Sequence, residues 1–207
     1  MVNRGLFSLI LVIGGKIMKN DSLSEFIDRK IRDTMVKCLL EKLYDEIRIT
    51  DLTNQAQINR TTFYLFYQSK EELVKIICDE YIYQYCQSLK ESLQTRNLNY
   101  ASAIYYFEKL PSKKDLLEIL FSLSLKNYTP DLVMQKEIER VVTEIFSQKY
   151  PRVSPYRIDY FSKNFASNTL VTIKWWLENQ QDCSVEVVVD MINQIMTQGL
   201  ETILLDI

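Results

Sequence analysis

The sequence predicts an all-α protein with two domains, and three observations support this fold class. The 207 residues include only four glycines and four prolines, and so few helix-breaking residues favour long helices. Apolar residues recur at three- and four-residue steps along most of the chain, which is the period of a helix with one buried face. Hydrophobic residues make up 47% of the sequence, so a core can be buried without disulfides.

Charge and composition exclude several classes of function. The net charge of −2 gives no overall attraction to nucleic acid or anionic membranes, so any DNA contact must be local. Histidine is absent, which removes the commonest general base and the usual imidazole metal ligand. The cysteines form no CxxC pair and are expected to be reduced cytosolic thiols: Cys38, Cys78, Cys86 and Cys183. We therefore expect a cytoplasmic protein that is not an enzyme and has no metal or cofactor.

The first seventeen residues are expected to lie outside the fold. The apolar run Leu6–Ile13 resembles a short signal peptide, but it is far below the roughly 20 residues of a membrane span and lacks an A-x-A end. The sequence "GGKIM" at 14–18 can be encoded by a ribosome-binding site just upstream of a start codon. We expect translation to begin at Met18 and residues 1–17 to be a non-native or disordered leader, with no membrane partner.

Two capping boxes mark the predicted long helices of the first half. The box "SLSE", Ser22–Glu25, should begin a helix that runs to about Tyr44. The box "SKEE", Ser69–Glu72, should begin a second long helix that ends near Leu93. The first helix has a buried stripe formed by Ile27, Ile31, Met35 and Cys38.

Five further helices are predicted from about Tyr100 onward. Proline fits the first turn of a helix and Ser or Asp caps it, so the starts are Pro111-Ser112, Pro130-Asp131, Ser154-Pro155 and Ser184. The last two helices, about 155–179 and 184–205, carry wide apolar stripes. We expect one side of this pair to face the core and the other to face a partner helix pair, with Val188 as the probe of that seam. Aromatic residues of this half could line an effector pocket or fill the core.

Two short helices are predicted between the capping boxes. The first, Asp51–Ala56, can be capped by Thr50, and the second, Arg60–Tyr67, can be capped by Asn59. Only Gln57 and Ile58 lie between the first helix and the cap of the second, which is the spacing of a helix-turn-helix. The residues expected to pack the pair together are Leu52, Ala56, Ile58 and Phe63. The polar residues left free to face outward are Asn59, Arg60, Thr61, Thr62 and Tyr64.

This short segment has the polarity of a DNA-reading surface. No acidic residue occurs from Leu52 to Lys70, and carboxylates would repel phosphates. Arginine, amide and hydroxyl groups can contact base edges in the major groove without a large net charge. The segment is therefore predicted to bind double-stranded DNA.

The stretch "ITDLTNQAQINRTTFYLFYQSKEEL" resembles the DNA-binding signature of TetR/AcrR-family transcriptional regulators, and the resemblance covers about Leu23–Tyr81. It implies that residues 18–68 bind DNA and that residues 69–207, including the connecting helix, form a domain for effector binding and dimerisation. It implies phosphate contacts from Thr50, Tyr64 and Lys70, and base contacts from Arg60, Thr61 and Thr62. Asn59 completes the predicted DNA-binding set as a polar residue at the start of the second short helix. The expected function is a homodimeric repressor released from an inverted-repeat operator by a small-molecule effector. The alternatives are an all-helical enzyme and a helical binding protein without DNA recognition.

The chain departs from the family pattern at three positions, of which one, Asn59 in place of the common serine cap, is harmless. Gln57 stands where the family usually has glycine in the turn, and a non-glycine residue in a left-handed conformation costs about 1 kcal/mol or more. Phe66 stands where a histidine often touches the DNA backbone. The stretch "TIKWWLENQQDCSVEVVVDMI" also resembles the C-terminal half of a subgroup from low-GC Gram-positive bacteria, whose members include a regulator of dihydroxyacetone kinase genes.

Overall fold

A computed structural model describes residues 20–94, 114–179 and 183–195. Over these three ranges the chain forms eight α-helices and a short 3-10 turn, Tyr44–Glu46, and no strand. The helices are α1 (Asn20–Glu41), α2 (Ile49–Gln55), α3 (Arg60–Phe66), α4 (Lys70–Gln94), α5 (Lys114–Ser122), α6 (Pro130–Lys149), α7 (Pro155–Asn179) and α8 (Val185–Gln194). The predicted all-α class is confirmed. The leader expected at 1–17, the helix expected near Tyr100 and the end of the last helix lie outside the described residues.

The chain divides into two compact units, Met1–Val74 and Lys75–Ile207. The division falls within α4, a few residues after the boundary expected at 68. None of the helices in the described ranges combines the length and the hydropathy that crossing a lipid bilayer requires.

The first unit packs α1, α2 and α3 around one small core. Its fully buried centre consists of Ile31 and Met35 from α1, Leu52 from α2 and Phe63 from α3. These side chains alternate with exposed ones at helical spacing, so each short helix presents one apolar side to the others. Of the residues predicted to join the two short helices, only Ile58 is less than fully buried.

Two of the four caps predicted for the first unit are confirmed. Asn59 Oδ1 accepts from the Thr62 N–H at 2.6 Å and begins α3. Ser69 Oγ accepts from the Glu72 N–H at 3.1 Å and begins α4. The Glu72 carboxylate completes this second cap one residue earlier than expected, because it accepts from the Gln68 N–H at 2.5 Å.

The other two predicted caps are wrong. α1 already begins at Asn20, so Ser22 lies within the helix, and α1 ends at Glu41 rather than near Tyr44. α2 begins at Ile49 after the N-cap Arg48, which places Thr50 within the first turn. The Arg48 N–H donates to the Asp51 carboxylate at 3.1 Å, so Asp51 serves the start of α2.

The second unit has a larger core, centred on the contact between α6 and α7. The rings of Phe146 and Phe161 lie 4.6 Å apart between centroids, and neither side chain is exposed. The apolar stripes predicted on α7 are buried, but both face the core of this unit rather than one facing a partner: Phe161, Phe165, Ala166, Leu170, Ile173 and Leu177 all lie in this core.

The facing of α8 differs from the prediction. Val188 is only 3% exposed and packs, with Ile192, into the core of its own unit. Among the described side chains of α8 and its C-cap, the apolar ones that face outward are Val187, Met191 and Ile195. Val188 is therefore not a surface residue. A charge at this position tests the core of the second unit and not a contact with a partner, so the prediction that Val188 probes the seam is wrong.

All four cysteines are free thiols. Cys38, Cys78 and Cys86 are buried, whereas Cys183 is half-buried just before α8. Desolvation raises the pKa of the Cys78 and Cys86 thiols to about 12 and also raises the pKa of Cys38. These three thiols are protonated at neutral pH.

Candidate nucleic-acid interface

The turn between α2 and α3 depends on one left-handed residue. Gln57 has a φ of 51°, as expected for a residue that replaces glycine at this position. The Gln57 N–H donates to Asn54 O at 3.1 Å, and the Ile58 N–H donates to Thr53 O at 3.0 Å. These bonds satisfy the last carbonyl groups of α2 while the chain turns into α3.

The start of α3 is fixed by Asn59 and Thr62. The Thr62 hydroxyl donates to the same Asn59 oxygen that accepts the Thr62 N–H, at 3.0 Å. Thr62 is half-buried, whereas its neighbour Thr61 is exposed. Of the two threonines predicted to approach bases, Thr61 is the one presented to solvent, and Thr62 is engaged with the cap.

One side of α3 faces solvent, and we call it the α3 face: Arg60, Thr61, Tyr64 and Leu65. Arg60 Nη2 donates to the Tyr64 hydroxyl at 3.1 Å, and the guanidinium carbon lies 5.5 Å from the centroid of the Tyr64 ring. The Tyr64 ring packs edge-on against Phe63, with centroids 5.6 Å apart. Arg60 and Tyr64 therefore lie side by side, and the Tyr64 ring packs on Phe63, which is fully buried.

The other end of α3 is attached to α1 by a polar cluster. The Tyr67 hydroxyl donates to the Asp28 carboxylate. Arg32 Nε donates to the Tyr67 hydroxyl at 3.0 Å and to Asp28 at 2.9 Å. Burial and the hydrogen bond to Asp28 raise the pKa of Tyr67, so the phenol stays protonated and the cluster fixes α3 against α1.

The two remaining predicted site residues lie outside α3. Thr50 is exposed in the first turn of α2. Lys70, at the start of α4, is half-buried, and its ammonium donates to Tyr44 O at 2.8 Å and Ile47 O at 2.9 Å. The same ammonium lies 4.2 Å from the centroid of the Tyr44 ring. Lys70 therefore joins α4 to the 3-10 turn, a role that the sequence did not indicate.

Replacing Lys70 by Met should lower the free energy of unfolding by about 2 kcal/mol, because two carbonyl groups lose a charged donor while the apolar stem stays in place. Urea unfolding followed by circular dichroism measures this change. Lys37→Met, which removes an exposed charge from α1, is the control and should stay within about 0.5 kcal/mol of wild type. Equal stabilities of Lys70→Met and Lys37→Met would contradict the role of Lys70 in joining α4 to the 3-10 turn.

Together, α2, the Gln57 turn and α3 define a helix-turn-helix unit. Five of the seven predicted site residues lie on α3 or at its cap, and Leu65 joins them on the exposed side.

The fold is that of TetR-family transcriptional regulators. A TetR transcriptional regulator from Streptococcus agalactiae 2603V matches at a TM-score of 0.60 and 21% identity, over 88% of this chain and 96% of that one. NalD of Pseudomonas aeruginosa, the secondary repressor of the MexAB-OprM multidrug efflux pump, matches at 0.66 and 17%, over 87% and 98%. The dihydroxyacetone kinase operon activator DhaS matches at 0.62 and 15%, over 86% and 98%. No protein-family model and no curated protein matches the sequence significantly.

Proposed function

We propose that this protein is a homodimeric transcriptional regulator that binds an inverted-repeat operator through α3. The observation that carries the proposal is the α3 face: an arginine, a threonine and a tyrosine side by side, with no acidic residue from Leu52 to Lys70. The TetR-type fold supports the same function. The alternatives are a helical enzyme and a binding protein without DNA recognition. Neither accounts for the absence of carboxylates around the exposed polar residues of the α3 face.

Each group on the α3 face has a chemical use on DNA. The Arg60 guanidinium has further N–H donors beyond the one bonded to Tyr64, and it suits the N7 and O6 acceptors of guanine in the major groove. The Tyr64 hydroxyl accepts from Arg60 and keeps its own proton to donate to a phosphate. Thr50 would add a second phosphate contact from α2, and the remaining N–H of Lys70 a third.

The second unit supplies the proposed dimer contact. α8 and its C-cap expose Val187, Met191 and Ile195, and α7 exposes Val171 and Trp175. Exposed apolar stripes on two neighbouring helices are typical of a surface that a second copy covers. A twofold dimer would place two copies of α3 one DNA turn apart, about 34–36 Å, on an inverted repeat.

The second unit also contains an apolar cavity of about 20 Å³, lined by Cys78, Tyr81, Ile82, Tyr85, Leu117, Leu120, Phe121, Pro130 and Met134. We propose that a small, largely apolar effector binds here, which requires the cavity to widen, because ligand pockets usually have volumes of about 300–1,000 Å³. A protein that blocks transcription until the effector releases it from the operator is a repressor, and this is the direction that we propose. Because the similar structures include a repressor and an activator, transcription in vitro with and without the protein tests the direction of regulation.

Arg60→Ala should weaken binding to the preferred operator by about 1–3 kcal/mol and leave binding to random DNA nearly unchanged, because a base contact carries discrimination. Fluorescence anisotropy on both DNAs, with the operator taken from the region upstream of the gene or from selection, measures the difference. Arg152→Ala removes the same charge at an exposed position of the second unit and should bind like wild type.

Tyr64→Phe is the second variant in this experiment. It keeps the ring against Phe63 but removes the hydroxyl that bonds Arg60, so it should bind the operator more weakly and melt like wild type. Wild-type affinity for both Arg60→Ala and Tyr64→Phe would contradict the proposed docking of α3.

A further inference from the structure

Leu65 is the feature of the α3 face that phosphate and hydrogen-bond chemistry does not use. Its side chain is 79% exposed, the highest value among the large apolar side chains of the described residues. Its neighbours in the helix behave differently, since Phe63 and Tyr67 are buried and Phe66 is half-buried. Leu65 therefore contributes little to the core of the first unit, and its apolar surface is available to a partner.

The position of Leu65 restricts what that partner can be. It follows Thr61 by four residues, so these two side chains are neighbours on α3, whereas Arg60 and Tyr64 form the adjoining pair on the exposed side. Helical side chains lean toward the N-terminus of their helix, which directs Leu65 over the turn that contains Thr61. DNA that Thr61 approaches must therefore also come close to Leu65.

Only one group in the major groove matches an isobutyl side chain. Each base pair presents hydrogen-bond donors and acceptors there, and thymine alone adds an apolar group, the C5-methyl. A leucine can make no hydrogen bond to a base edge or a phosphate, so placed against those groups it would only remove water from them. Against a thymine methyl, both apolar surfaces leave water.

We propose that Leu65 is a specificity-determining residue that contacts the C5-methyl group of one thymine in each operator half-site. The inference rests on the proposed function, because it assigns a reading role within the same interface. It predicts that the operator carries a thymine near the base pair that Thr61 approaches. Single exposed leucines are common on protein surfaces, so the test must measure the contact with the methyl group itself.

Deoxyuridine provides that test because it differs from thymidine only by lacking the methyl group. Each thymine of one half-site is replaced in turn, and the affinities of wild type and Leu65→Ala are measured on every DNA. At one position the replacement should weaken wild-type binding about fourfold, the value expected for one buried methyl. Leu65→Ala should weaken binding to the unmodified operator by a similar or larger factor and should show no further loss at that position.

Two controls separate the contact from other effects. Leu43→Ala truncates another exposed leucine of the first unit, outside the α3 face, and should keep the wild-type response to deoxyuridine. Leu65→Ala should melt like wild type, because the side chain is exposed.

The possible outcomes distinguish this inference from the function on which it rests. Specific operator binding in which every deoxyuridine affects wild type and Leu65→Ala equally would overturn the role of Leu65 and leave the proposed function standing. Equal affinity of wild type for selected and random DNA would overturn both.

Discussion

Val188→Asp should lower the free energy of unfolding by about 3–5 kcal/mol, the cost of an uncompensated charge in a protein interior. Val188 is 3% exposed and lies in the core of the second unit with Ile192 and Leu177. Urea unfolding at neutral pH measures the loss. The folded-state pKa of the new carboxyl should be raised, so the loss should shrink as the pH falls toward the ordinary pKa of aspartate, near 4.

Val188→Asn is the matched control because it has the size and shape of Asp without the charge. It should be destabilised less than Val188→Asp at neutral pH and should lack the recovery at low pH. If Val188→Asp instead unfolds like wild type, the side chain faces water, and the facing of α8 given by the structure is contradicted.

Met191→Asp should leave the protein as stable as wild type but prevent it from dimerising, whereas Val188→Asp lowers the stability. Met191 is 41% exposed on the outward side of α8, so a carboxylate costs little in the monomer but is buried without a partner in the proposed dimer. Sedimentation should show a monomer. Operator affinity should fall by at least about a hundredfold, because two half-sites are no longer bound by one linked molecule.

Leu132→Asp is the control for this variant, since Leu132 is an exposed apolar residue of α6 outside the proposed dimer contact. It should remain dimeric and bind the operator like wild type. A dimeric Met191→Asp protein with normal affinity would place the dimer contact elsewhere on the second unit.

Local patterns in the sequence were sufficient for the fold class, most helix positions and the caps at Asn59 and Ser69. These features depend on residues three or four apart, which a sequence displays directly. The caps expected at Ser22 and Thr50 failed because both helices begin earlier, at Asn20 and Ile49. At the start of α2 the Asp51 carboxylate accepts from the Arg48 N–H and also from Lys42, just after α1, at 2.7 Å, so a contact from outside the helix accompanies the earlier start of α2.

The candidate site also has features that local spacing in the sequence predicts and features that depend on distant residues. The arrangement of Arg60 and Tyr64 follows from their spacing of four residues, so the sequence could have indicated it. The role of Lys70 could not be predicted, because its acceptors lie 23 and 26 residues earlier in the chain. The sequence could not predict whether Val188 is buried or exposed, because α8 carries valine, methionine or isoleucine on both its buried and its exposed sides.

The distribution of the four thiols makes the protein suitable for site-selective labelling. Only thiolate reacts readily with a maleimide, and Cys38, Cys78 and Cys86 are both buried and held protonated by burial. Cys183, half-buried and directly before α8, should therefore react first in the native protein. A fluorophore attached there would lie beside the proposed dimer contact, so energy transfer between two labelled copies would follow assembly without any engineered cysteine.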